Sequence, residues 1–506
     1  MDSLTLGLDI GTSGCKVVAL DAAGRVRGGA SASYSLLTDA SGRAEQNPET
    51  LWAAVCTALR ETSKEFGAGP FAGLALSGAM HSVLVLGPRL EPLANALTWA
   101  DSRPETVLPA LRLETDEKAL YTHTGCPLEA PYHPARLRWL REAYPELFGR
   151  AHVFVSLKDY LAYRLSGTLA ADIGLASTTG LLELRRARWH KAALTLASVT
   201  AAQLPELLSP TDRLGALTRT AAATTGLRAG LPIFSGSSDG GLANLGSGVA
   251  KPGETILTLG TSGAVRRVAD TPQLGPDRLS WCYLLLEGHY FAGGAINNGG
   301  LTLEWVRRTF YSELPNSQGY TRLLEDAAEA AVTDAPLCLP YLTGERSPHW
   351  DADLRASFFG VGEHHTRADL ARSALEGVAF TLADVFDLLG PGARPAPLPV
   401  PTSSPVQLTG GVTRSPFWAQ LITDTLGVET ELNPVADASA MGAALLAQVA
   451  LSWTTFEDAA ARAGSKAATS GIRTLTPDPA AHDRLGRRRR DAQALLRATK
   501  NLSLGK

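Results

Sequence analysis

The sequence predicts a layered α/β fold of at least two domains, and three observations carry that expectation. The chain has 506 residues, more than a single hydrophobic core accommodates. Strand-like and helix-like segments alternate along it, the pattern of sheets covered by helices on both faces. The tetrapeptide GTSG occurs twice, at Gly11 to Gly14 and at Gly260 to Gly263, once in each half and each time at the end of an apolar run.

Taken in order, "LGLDIGTSGCKVVAL" begins as a strand from Leu4 to Ile10, turns through GTSG, and resumes as a strand from Lys16 to Asp21. "NPETLWAAVCTALRETSKEF" follows as a helix. Asn47 suits its N-cap, Pro48 its first position, and Leu51, Val55 and Leu59 share one face. Phe71 to Gly78, "FAGLALSG", reads as another buried strand. From Gly253 the scheme repeats, with strand pairs around Ile256 to Ala269 and Trp281 to Gly293. Arg367 to Leu389 has the apolar spacing of a long packed helix. "GPGARPAPLPVPTSSP" can be neither helix nor central strand and is expected as a surface connector. It delivers the chain to "VQLTGG", a short strand ending at Gly410 and Gly411. The basic run Arg487 to Arg490 is expected to be the solvated end of a helix.

Composition narrows the function. A formal net charge of −3 provides no global field for nucleic acid or an anionic membrane, so the expected partner is a small molecule. Five cysteines without CxxC spacing indicate neither a zinc site nor a disulfide framework, and are expected as reduced thiols in a cytoplasmic protein. Neither a signal peptide nor a membrane span is expected, since no basic segment precedes an apolar core and no run reaches about 18 apolar residues.

Several small-residue turns then carry candidate chemistry. A glycine turn with Thr and Ser exposes backbone N–H groups toward one point, which suits a phosphate. Two such turns facing each other would grip a polyphosphate from both sides. Asp9 stands just before the first turn, where a carboxylate near phosphate calls for an offsetting cation such as Mg²⁺ held through water. Asp239, in "FSGSSDGGLANLG", is either the N-cap of the following helix or a general base for phosphoryl transfer. Met80 and His81 end the Phe71 strand, and "LTWADSR" adds Trp99, Asp101 and Arg103, residue types that suit a polyhydroxylated ligand. Asn297 and Asn298, in "GGAINNGG", fit a turn or a hydroxyl contact. Gly410 and Gly411 would let an adenosine lie against the backbone, or serve a tight strand-to-helix connection.

The order of these motifs resembles the FGGY carbohydrate kinases of the actin-like ATPase superfamily. The resemblance rests on "DIGTSGCK", "SGAMHS", "TWADSR", "GSSDG", "TLGTSG", "PYLTGERSP", "LTGGVTRSPFW" and "ASAMGAALLA", and covers the chain to about residue 460. It implies an α/β architecture of two ribonuclease-H-like domains around a central cleft, at 1–248 and 249–460, with a helical extension at 461–506. It implies Asp239 as catalytic base. It also implies Gly11, Thr12, Ser13, Lys16, Gly260, Thr261, Ser262, Gly410, Gly411 and Ser415 around ATP, and Asp9 with Asp239 attending Mg²⁺. Met80, His81, Trp99, Asp101 and Asn297 fall where the family holds its sugar, and a homodimer is the expected assembly.

"SGAMHSVLVL", "TWADSR", "NNGG" and "GERSPHW" look most like members acting on gluconate. Those acting on xylulose usually carry Gly after Met-His, where Ser82 stands here. The implied reaction is therefore D-gluconate to 6-phospho-D-gluconate, with xylulose or another pentulose or polyol as the alternative. An ATP-driven assembly protein of the actin or chaperone type is the rival from a different class. Two features depart from the family pattern: "HPARLRW" has Arg136 where Lys is usual and His133 where Pro, Ser or Thr is customary. No pair of arginines stands out for a sugar carboxylate.

Overall fold

In the computed structural model, which describes residues 3–330, 334–390, 404–469 and 473–499, the first apolar run forms β1 (Leu4–Ile10) and β2 (Gly14–Leu20). They pair antiparallel with Asp9 opposite Lys16, and the second strand starts two residues before the predicted Lys16. β3 (Val26–Ser33) extends the pair. α1 (Pro48–Phe66) follows as predicted. The Asn47 side chain accepts from the N–H groups of Glu49 and Thr50, a cap worth about 1 kcal/mol. β4 (Phe71–Gly78) returns parallel to β1. After an intervening region that contains α2 (His133–Ala143) and α3 (Leu157–Ser166), the chain rejoins the sheet as β5 (Arg213–Ala216) and β6 (Pro232–Ser238), then turns into α4 (Asp239–Gly246). The strand order is β5-β6-β4-β1-β2-β3.

The second half repeats the plan. β7 (Thr255–Leu259), β8 (Gly263–Ala269), β9 (Trp281–Leu286) and β10 (His289–Ile296) are followed by α5 (Gly300–Phe310) and α6 (Arg367–Asp387). β11 (Val406–Gly410), α7 (Pro416–Leu426), β12 (Thr430–Leu432) and α8 (Ala438–Ala450) complete the repeat. The strand order is β9-β10-β8-β7-β11-β12, closed at its edge by a strand described below. In both sheets the central strand is followed on one side by an antiparallel run, of two strands in the first sheet and three in the second, and on the other by two parallel strands and then an antiparallel edge strand. That is the ribonuclease-H-like topology, twice. β1 and β7 are the central strands, buried along nearly their whole length, which is why both read as continuous apolar runs.

The halves join through α8. It follows the second sheet in the chain but packs on β1, β2 and β4 of the first, and crosses α4. A Cβ on Gly246 would stand 2.0 Å from the Ala438 carbonyl oxygen, and one on Gly442 1.9 Å from that of Leu242. The two helices therefore meet backbone to backbone. One apolar cluster draws on both halves here, including Leu242, Leu245, Trp281, Tyr283, Ala440 and Phe456.

Two C-terminal expectations are corrected. The extension is not purely helical: after α9 (Phe456–Thr469), β13 (Arg473–Leu475) pairs antiparallel with β12 and becomes the edge of the second sheet, before α10 (Pro479–Thr499). Nor is the basic run simply a solvated helix end. Arg489 is buried and pairs with Asp384 and Asp387, while Arg488 pairs with Glu376 and donates to the carbonyls of Ala335 and Pro336. The run therefore anchors α10 to α6. Most of the predicted proline-rich connector, residues 391–403, lies outside the described residues. All five cysteines are buried and unpaired. Among the described residues no helix is long and apolar enough to cross a membrane.

Because the α4–α8 crossing leaves no room for a side chain, Gly442→Val is expected to destabilise the protein by about 2 kcal/mol or more in urea unfolding, with Gly442→Ala between it and wild type.

Candidate active site

Both GTSG turns stand at the carboxyl ends of the central strands, where open α/β sheets place ligands. In the first turn every carbonyl is taken by the protein. Gly11 accepts from the Tyr34 hydroxyl (2.7 Å), Thr12 from the Gln46 side chain (2.7 Å) and Ser13 from the Tyr34 N–H (3.1 Å). The second turn repeats this with different partners: Gly260 accepts from Gly300 N–H (2.7 Å), Thr261 from Leu301 N–H (2.9 Å) and Ser262 from Gly260 N–H (2.9 Å). The N–H groups of Thr12, Ser13, Thr261 and Ser262 have no hydrogen-bond partner among the described residues. Each turn is thus a concavity of donors, ready for an anion. Gly300 opens α5 against the second turn, and a Cβ there would fall 2.7 Å from the Gly260 carbonyl oxygen.

Gly410 ends β11 opposite Leu259 with φ 87°, and Gly411 begins the short turn beyond it, so the pair borders the second GTSG turn. Ser415 is the N-cap of α7, and its hydroxyl accepts from Trp418 N–H (3.2 Å). The side chain expected at the nucleotide thus also caps the helix, with its O–H still available to donate.

Asp9 and Asp239 lie at the carboxyl ends of β1 and β6. Ser77 donates to Asp9 (2.7 Å), and burial nonetheless raises the Asp9 carboxyl above its ordinary range. Lys16 pairs with Asp437, which precedes α8 in a left-handed conformation and contributes no helix cap, so this ion pair ties β2 to the start of α8. Asp239 is the first residue of α4, not its N-cap: Ser238 takes that role, accepting from Gly241 N–H (3.4 Å). Burial and then the charge of Asp9 push Asp239 up to about 7, against the pull of the Gly240 N–H and Arg266. Arg266, buried on β8, donates to Asn244 of α4 (2.8 Å) and to Thr258 of β7 (2.9 Å). It is a strut between the halves as well as a countercharge for Asp239.

A cavity of about 40 Å³ is lined by Met80 and His81 from the first half and by Trp281, Tyr283, Arg346 and Trp350 from the second, among others. Met80 reaches toward Gly240, beside Asp239. His81 donates from Nδ1 to the Thr178 carbonyl (2.9 Å), which leaves Nε2 as an acceptor. Burial, followed by the nearby Arg136, His133 and Arg346, pushes this imidazole well below its usual range, so it is neutral.

A chain of contacts links the two turns past this cavity. The Trp99 indole N–H donates to the Thr12 hydroxyl (3.0 Å), Arg346 lies over the Trp99 ring (4.8 Å) and donates to the Asn297 side chain (2.7 Å), and Gly300, three residues on, holds Gly260. Asp101 does not join them. It is 1 % exposed, bound by Arg103 (2.5 Å) and by Ala44 N–H (3.0 Å), and positions the Trp99 segment from behind. Ser82 likewise turns away from His81, its hydroxyl accepting from Leu157 N–H (3.0 Å).

Sequence reasoning missed Arg346, Arg266, Tyr34 and Gln46. Arg346 stood in the quoted "GERSP", where its charge was a usable signal. Arg266 lies in the midst of a strand, and Tyr34 and Gln46 act through contacts that only the fold creates, so none had a local signature.

Two ribonuclease-H-like domains, each with a donor-lined turn at the end of its central strand, define the actin-like ATPase class. Within that class, residues 4–246 match the N-terminal domain, and residues 256–451 the C-terminal domain, of the FGGY family of carbohydrate kinases. The chain belongs to this family and is an ATP-dependent sugar kinase. It is similar to a gluconokinase of Bacillus subtilis, 33% identical over 460 residues that cover 88% of this chain and 87% of the relative. Among solved structures it is similar to a gluconate kinase of Lactobacillus acidophilus (TM-score 0.90, 27% identity, 99% of both chains). A ligand-bound xylulose kinase of the same organism is equally alike (TM-score 0.91, 27% identity, 99% of both chains).

A carboxyl that holds its proton more tightly folded than unfolded loses stability as pH rises from the ordinary carboxyl range to its folded value. Asp239→Asn is therefore expected to be more stable than wild type above pH 7, by about 1 to 4 kcal/mol. The difference should vanish near pH 4, as thermal unfolding across that range would show.

Proposed function

We propose that this sugar kinase transfers the γ-phosphoryl group of ATP to the terminal hydroxyl of D-gluconate, giving 6-phospho-D-gluconate and ADP. The observation that carries the reading is the position of Asp239, between the cavity beside Met80 and the donor-lined turns, with a pKa of about 7. At that value the carboxylate is substantially ionised near neutral pH and still basic enough to take a proton. The substrate hydroxyl loses its proton to Asp239 as its oxygen bonds to the γ-phosphorus, and the bond from that phosphorus to the β,γ-bridging oxygen breaks to release ADP. The N–H groups of Thr12, Ser13, Thr261 and Ser262 meet the phosphates, Gly410 and Gly411 border the adenosine, and His81 accepts a substrate hydroxyl. Asp9 and Asp239 offer hard carboxylate oxygens in ground that burial makes unfavourable for charge, a donor set that fits Mg²⁺ held through water. When bound, the ion supplies neutralisation of phosphate charge.

Gluconate is favoured by the "SGAMHS", "TWADSR" and "NNGG" segments together with the gluconokinase relative. D-xylulose is the second reading, supported by the equal structural likeness to a xylulose kinase. The cytoplasm, where ATP is supplied, is the proposed location.

ADP release with MgATP should be stimulated by D-gluconate well above the rates with D-xylulose, glycerol or no sugar. A dominant response to D-xylulose would transfer the assignment to the second reading, and sugar-independent turnover would reject both. Asp239→Asn should lower kcat by about a thousandfold or more while the protein stays folded. In wild type kcat/KM should fall below about pH 7 along a single acidic limb.

A further inference from the structure

We propose that Arg346 binds the carboxylate of a sugar-acid substrate, an assignment that rests on the gluconate reading and adds the group that recognises the acid. The cavity beside His81 is walled mainly by aromatic and apolar side chains, and Arg346 is its one charged residue, His81 being neutral. The guanidinium is held at two nitrogens: Nε donates to Asn297 (2.7 Å) and Nη2 to the Ile296 carbonyl (3.2 Å), while its plane rests over Trp99 (4.8 Å). Nη1 has no hydrogen-bond partner, and Arg346 no ion pair, among the described residues. Glu345, its neighbour, does not supply one. That carboxylate is occupied by the N–H groups of Asn297 and Arg346 and by the Asn298 side chain.

A second guanidinium stands near the same imidazole. Arg136 is wholly buried, its Nε donates to the Pro131 carbonyl (2.7 Å), and both its Nη atoms lack partners. Near His81 two guanidiniums thus keep nitrogens without hydrogen-bond partners among the described residues, Nη1 of Arg346 and both Nη atoms of Arg136, while Glu345 and Asp101 act on them without a direct ion pair, an arrangement that leaves donors for a negatively charged ligand group. Asp239 feels Asp9 and Arg266, whereas Arg346 lines the cavity with Met80 and His81. An aldonic acid carries a carboxylate for such a guanidinium as well as a terminal hydroxyl for a base. A neutral ketose offers Arg346 only hydroxyls.

The test compares D-gluconate with D-gluconamide, which keeps every hydroxyl but loses the charge. Wild-type protein should bind gluconate at least about tenfold more tightly by calorimetry. Arg346→Met should raise KM for gluconate about a hundredfold and should cost at least about tenfold less in kcat/KM with gluconamide, so that the preference for acid over amide collapses, and Arg346→Lys should recover part of that preference. Equal wild-type affinity for acid and amide overturns the proposal without recourse to any variant, so a variant that fails to fold does not shelter it. It is also overturned if Arg346→Met loses kcat on both substrates with KM unchanged, which would place the arginine on the phosphoryl group. If wild type phosphorylates D-xylulose but not gluconate, the substrate reading itself fails. If gluconate is phosphorylated but acid and amide are not distinguished, only the role of Arg346 fails.

Discussion

Like charges brought together in a partly dry cleft are the constraint around which this molecule is arranged. Asp9 and Asp239 stand at the carboxyl ends of parallel strands in one sheet, and Asp9 helps burial to raise the Asp239 carboxyl. The fold answers with donors rather than with a cluster of lysines: two turns whose carbonyls are all consumed, so that only N–H groups are presented. Fixed dipoles of this kind need no reorganisation when charge develops. Lys16, the cation nearest the first turn, is engaged by Asp437, and Arg266 is withdrawn into a strut behind Asp239. Asp239 is thereby left with a pKa near neutrality.

The second constraint is the joint between the two halves. α4 and α8 cross with their backbones in contact at Gly246 and Gly442, and the apolar cluster around them belongs to both halves. Arg266 spans the same joint from α4 to β7, and the path from Thr12 through Trp99, Arg346 and Asn297 to the second turn crosses it again at the sugar side. Across the cavity beside these bridges Met80 and His81 of the first half meet Tyr283 and Arg346 of the second.

Motif and role separate at several positions. "TWADSR" marked the right segment, but its aspartate is an internal support for Trp99 rather than a ligand contact. Ser82, which sets the motif apart from the xylulose type, accepts from Leu157 N–H at the start of α3 and lines not the cavity of His81 but an adjoining one with Thr12, Met80 and Trp99. The glycines of "NNGG" serve the second phosphate turn, since they let α5 begin against Gly260. Ser415 in "TRSPFW" caps α7. In each case a sequence segment was informative as a whole because the fold needs it near the site, while the individual side chain does structural work that local sequence does not display.

By itself the sequence determined the repeated α/β plan, the two turns, and the order of motifs along the chain. Those depend on short-range chemistry: apolar strands that end in glycine, an Asn-Pro helix start, a carboxylate beside a small-residue turn. Only the tertiary structure decided which carbonyls are consumed and which N–H groups stay available, because Tyr34, Gln46 and Gly300 come from remote segments. It also decided that Arg487 to Arg490 would be split between solvent and a buried anchor, and that a strand from the C-terminal extension would finish the second sheet. Above all it placed Arg346 beside His81, from opposite halves of the chain, since the charge a cavity presents is a sum over elements that meet only on folding.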